Sequence, residues 1–136
     1  ERISERQLVE LKHNLSASSN LVEKVKKSGR KTADKATAKK FHALDLAFHM
    51  TIIEASRNRR MLKVVGDSHI LSRIFQAERH EFTRTILEDT QKEHESIALA
   101  IRTRSAQAAS DAMRAHIQNS LNLTINDSES DRWWTK

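Results

Sequence analysis

Apolar positions recur along the chain every three or four residues rather than every second one. That is the period of an amphipathic helix, not of a strand. A first run over residues 4–27 places Leu8, Leu11, Leu15, Val22 and Val25 on one face. Ser4 and Gln7 open it as a capping-box pair, and Gly29 follows its lysine-rich last turn as a stop signal. A second run, 33–56, carries Phe41, Leu44, Phe48, Ile52 and Ala55 before "SRN" breaks it. A third, 59–79, uses Leu62, Val65, Ile70, Ile74 and Ala77, with Gly66 in its interior. The stretch "RHEFTRTILEDT" fits either a continuation or a break. A fourth helix, 84–103, turns Leu87, Ile97, Ala98 and Ile101 inward. A fifth, 105–123, starts on Ser105 as N-cap and buries Ala109, Ala112, Met113 and Leu123. Residues 124–136 read as a polar tail that frays, with Trp133 and Trp134 as its apolar exception.

Composition agrees with the pattern. The 136 residues contain no proline, no tyrosine and two glycines, which predicts one all-α domain large enough to bury a core. There is no cysteine, so neither a disulfide framework nor a thiolate metal site is available. No apolar run approaches the ~18 residues of a membrane span and no signal peptide is visible, which predicts a cytoplasmic protein without membrane contact. The net charge of +6 is densest in "KVKKSGRK" (24–31) and at Lys39 and Lys40. No aromatics are interleaved there to stack on bases, so these lysines read as a solvated inter-helix segment.

One feature conflicts with a simple core. In "LDLAFHMTIIEAS" (44–56), Asp45 and His49 share a helical face beside Leu44, Phe48 and Ile52. Polar groups buried there must find partners or cost several kcal/mol. His94 lies between Leu87 and Ile97 on the fourth helix, and His116 lies one turn after Ala112 and Met113 on the fifth. Three helices thus direct an imidazole inward, and one adds a carboxylate. A lone histidine on an apolar stripe is more often hydrogen-bonded core, but three with a paired aspartate point to a metal. Imidazole nitrogen and carboxylate oxygen suit zinc, nickel, iron or manganese without a thiolate. One carboxylate against a divalent ion leaves about one net positive charge, which favours a small anion as a further ligand. Octahedral coordination would leave two positions for it, and tetrahedral coordination none. His13, His42, His69 and His80 show no comparable arrangement, although His69 could face the core. Glu93, one residue before His94, points about 100° away from it on a helix. No H-E-x-x-H motif is present.

Two segments resemble a known family. "LDLAFHMTIIEASRNRRML" (44–62) is similar to the D-x-x-F-H…A-S-x-N…L segment of FadR-type regulators of the bacterial GntR family. "EHESIALAIRTRSAQAASDAMRAHI" (93–117) is similar to that family's second signature, E-H…I…A-I…A…M-x-x-H. Both belong to its effector-binding C-terminal domain, called FCD. The resemblance implies an antiparallel helical bundle, here of about five to six helices, that forms a homodimer. It implies a divalent metal held by Asp45, His49, His94 and His116, with zinc first and nickel, manganese or iron as alternatives. It also implies a small carboxylate effector at or beside the metal, and DNA binding only through a winged helix-turn-helix domain outside this chain. Residues 1–123 then form the effector-binding and dimerisation domain, without the family's first helix. That helix often supplies an arginine to the effector, and Arg73 is the substitute expected here. No catalytic or DNA-binding residue is assigned.

The function expected is therefore ligand sensing in a transcription regulator, with metal and effector modulating an attached DNA-binding domain. Two alternatives are a metal-dependent enzyme built on a helical bundle and a plain helical interaction module. Turnover well above that of free metal marks the first, and melting indifferent to chelation marks the second.

Overall fold

A computed structural model of the chain describes residues 3–68 and 81–132. Among them the chain forms five α-helices: α1 (Glu5–Lys27), α2 (Lys35–Ala55), α3 (Arg59–Ser68), α4 (Arg84–Arg102) and α5 (Ala106–Arg132). The all-α expectation holds. The later part of the third expected helix, with His69, Ile70, Arg73, Ile74 and Ala77, lies outside the described residues, as do His80, Trp133 and Trp134. No described helix is long and apolar enough to cross a membrane.

Local chemistry sets the helix ends. Ser4 and Gln7 form the expected capping box at the start of α1. Gly29 stands after the Ser28 C-cap with φ +68°, a conformation that costs glycine nothing, and its N–H donates to the Lys26 carbonyl at 3.2 Å. Asp34 caps α2 by accepting from the Thr37 N–H at 2.7 Å. Asn58 accepts from the Arg60 and Met61 N–H groups, opening α3. The link from α4 to α5 closes as a Schellman motif. The Ser105 N–H reaches the Ala100 carbonyl at 2.9 Å and the Arg104 N–H reaches the Ile101 carbonyl at 3.0 Å. Arg104, with φ 57°, occupies the left-handed position that glycine usually takes there.

Contacts along α1 fix the packing directions. Asn14 Nδ2 donates to the Leu44 carbonyl while Lys24 Nζ donates to Thr37 Oγ1, so α1 and α2 run antiparallel. Leu11 packs with Ile97 whereas Val22 and Val25 pack with Leu87, so α1 and α4 also run antiparallel. The short link turns α5 back along α4. The core lies in two clusters across α1, α2 and α4. One joins Val22, Val25, Phe41 and Leu87, and the other joins Leu11, Phe48 and Ile97. Each such side chain contributes about 1.5–3 kcal/mol by leaving water. An antiparallel β-bridge, Thr32 to Thr83, ties the α1–α2 connection to the start of α4, and Phe41 packs on Phe82 beside it.

Two expectations for the C-terminal helix are corrected. Leu123, expected inside, is 40 % exposed. The segment from 124 onward, expected to fray as a tail, continues α5 to Arg132. No glycine or proline interrupts that stretch, and polarity alone does not end a helix.

Candidate metal centre

Helical spacing brings the opening anomaly into one place. On α2, Asp45 and His49 are four residues apart and both are buried. α4 supplies His94 and α5 supplies His116, each at most 2 % exposed. These four residues offer ligand atoms that all lie within 4.8 Å of one another. Asp45, His49, His94 and His116 are the residues that the sequence singles out, and the fold brings together all four.

The contacts inside the cluster run through the Nε2 atoms. Asp45 Oδ1 lies 3.2 Å from His94 Nε2 and 3.6 Å from His49 Nε2. His116 Nε2 faces His49 Nε2 at 3.1 Å. The rings pack closely: His49 stacks on His116 with planes 14° apart, and His94 meets both edge-on. Phe48, wholly buried, closes the other side of His94.

Burial and charge act in opposite directions here. Burial pushes the Asp45 carboxyl upward, but the adjacent His49 and His94 imidazoles outweigh it and hold the group well below the ordinary carboxylate range. Burial pushes His94 and His116 below the ordinary imidazole value, more than Asp45 and Glu93 raise them. The centre therefore contains an ionised carboxylate, and its His94 and His116 imidazoles resist taking up a proton. Asp45 Oδ1 and His94 Nε2 are both buried without a hydrogen bond. A buried charge and a buried ring nitrogen left in this state are costly. One carboxylate oxygen and three converging imidazole nitrogens match the donor preferences of a borderline divalent ion. Such an ion would satisfy both orphaned atoms, so the residues present fit one.

The structure adds a residue that the sequence reading set aside. Glu93 does turn away from His94, but that direction faces α5. His116 Nδ1 and Glu93 Oε2 are 2.6 Å apart, and Asn119 Nδ2 donates to Glu93 Oε1 at 2.6 Å. The signal in sequence was the pair His116 and Asn119, three residues apart on the helix that follows. Arg73, the residue expected to hold an effector carboxylate, lies outside the described residues. His13 is exposed and His42 is only partly buried, and neither joins the cluster. An open cavity of about 180 Å³ lies one to two turns further along, between Ile52, Ala55, Ala100, Ile101 and Arg104. None of the four clustered residues lines it.

A family model for the FCD domain matches residues 1–119. No curated protein and no solved structure matches the chain.

Proposed function

Because the chain belongs to the FCD domain family, we propose that it is the sensing module of a GntR-type transcription regulator, holding a divalent metal with Asp45, His49, His94 and His116. FCD domains are regulatory, effector-binding domains. The observation that carries the metal reading is the convergence of one carboxylate and three imidazoles, all buried, within 4.8 Å. Zinc is the first choice from this donor set, with nickel, manganese and iron as alternatives.

The metal would supply a fixed positive charge at a bundle interior that otherwise holds an anion. That charge suits a small organic acid, whose carboxylate would complete the ligand set. The chain's own contribution is to bring donors from α2, α4 and α5 to one point and to exclude water around them. An acid bound there touches three helices at once, so it can favour one relative arrangement of them over another. A winged-helix domain attached to this module would read that arrangement and change its hold on DNA. The module would act as a homodimer in the cytoplasm. In this reading the centre senses its ligand and does not turn it over.

Metal analysis of the purified protein tests the assignment. Wild type is expected to carry close to one divalent ion per chain, with His94→Ala and His116→Ala each losing most of it. Equal metal content in all three proteins would overturn the reading.

A further inference from the structure

Beyond the four clustered residues, the described residues include a carboxylate aimed at the outer nitrogen of a clustered imidazole. Glu93 sits on α4 with its side chain 25 % exposed, beside the fully buried His116 ring. Its Oε2 lies 2.6 Å from His116 Nδ1, and its Oε1 accepts from Asn119 Nδ2 at 2.6 Å. Asn119 is one helical turn beyond His116 on α5. The carboxylate is thus held at both oxygens by one helix while being carried by another.

We infer that Glu93 is a positioning residue, which fixes the tautomer and plane of His116 so that its Nε2 lone pair points into the cluster. The inference rests on the metal reading for its consequence, though not for its geometry. A neutral imidazole carries its proton on one nitrogen only. A carboxylate can only accept, so its contact with Nδ1 places the proton there. Nε2 is then the bare nitrogen, and it is Nε2 that faces His49 at 3.1 Å. A carboxylate behind a ligating imidazole also raises the basicity of the ligating nitrogen. Asn119 holds Glu93 in the rotamer that does this, so the metal affinity of the centre depends on the register between α4 and α5.

Three variants separate these contributions. Glu93→Ala removes both the charge and the acceptor. Glu93→Gln keeps an acceptor and removes the charge. Asn119→Ala leaves Glu93 intact and removes its brace. Zinc affinity, measured by competition with a chromophoric chelator, is expected to fall about 10–100-fold in Glu93→Ala. Glu93→Gln should lie between that and wild type, and Asn119→Ala should lose less. The second readout uses metal-free protein and long-range proton–nitrogen NMR of the histidine rings. His116 should be the Nδ1–H tautomer in wild type and shift toward Nε2–H in Glu93→Ala. Wild-type zinc affinity in Glu93→Ala, or an unchanged His116 tautomer, would overturn the inference. If wild type bound no zinc, the metal reading would fail instead. The tautomer measurement would still decide whether Glu93 orients the ring.

Discussion

Phe48 lies flat against His94, with ring centroids 4.1 Å apart and planes within 10° of parallel. Both side chains are buried, and Phe48 belongs to the cluster with Leu11 and Ile97. The same ring therefore fills the core and sets the plane in which His94 Nε2 meets Asp45. Phe48→Ala is expected to cost about 3–5 kcal/mol in urea denaturation, from lost burial and the cavity left behind. Phe48→Leu keeps much of the volume but lacks the flat face. It should remain folded yet bind zinc about 10-fold more weakly, the lower end of what a supporting residue contributes. Unaltered zinc affinity in folded Phe48→Leu would show that the stack serves packing alone.

Metal removal should be visible in stability. A ligand that binds only the folded chain stabilises it by about 2.7 kcal/mol at a hundred times its Kd and about 4.1 kcal/mol at a thousand times. In a domain of this size that corresponds to a Tm shift on the order of 10 °C. Stripping wild type with a chelator should lower Tm by that amount, and adding zinc back should restore it. His116→Ala should melt at the same temperature with and without the chelator. Wild-type melting indifferent to both treatments would favour the plain interaction module.

The four clustered residues were legible in sequence for a simple reason. Asp45, His49, His94 and His116 fall in phase with the apolar stripes that bury Phe48, Leu87 and Ile97, so the period that places the core also places them. Glu93 was not legible, because it lies off the inward stripe of α4. Its role depends on where α5 packs, which is a relation between two helices. Leu123 failed for the same reason in reverse. It is apolar and close to phase, but the pattern along one helix does not say what packs over each position. The run of α5 to Arg132 is not legible because a polar stretch carries no apolar period, even where no residue in it breaks a helix.

Acid stability should report on the cap of α2. The Asp34 carboxyl lies below its ordinary value of 3.8, chiefly because it accepts from the Thr37 N–H, with Lys24 and Arg30 adding to the effect. The folded state therefore prefers the ionised form more than the unfolded state does. That contribution is fully present above the ordinary carboxylate value and is lost as pH falls through the lower folded value. Asparagine caps nearly as well but does not titrate. Asp34→Asn should resemble wild type near neutrality and lose less stability than wild type below about pH 4. Parallel acid limbs for the two proteins in denaturant titrations would show that the cap contributes no pH dependence.

Gln91 is buried on α4 between the two core clusters, and its contacts join α4 to α1. Its Oε1 accepts from Ser18 Oγ at 2.5 Å, and its Nε2 donates to the Leu15 carbonyl and to Glu95 Oε1. Ser18 Oγ also lies 3.1 Å from the Leu15 carbonyl, so it keeps a partner if Gln91 is lost. Gln91→Leu fills similar volume but gives up the link, and should cost about 1–3 kcal/mol. Ser18→Ala removes the other side of the bond. Replacing both partners by apolar groups leaves no stranded polar atom, so the double variant should cost less than the sum of the singles. The expected coupling is about 0.5–3 kcal/mol, the range for residues in direct contact. Strict additivity across the cycle would mean that this bond is replaced by water at no loss.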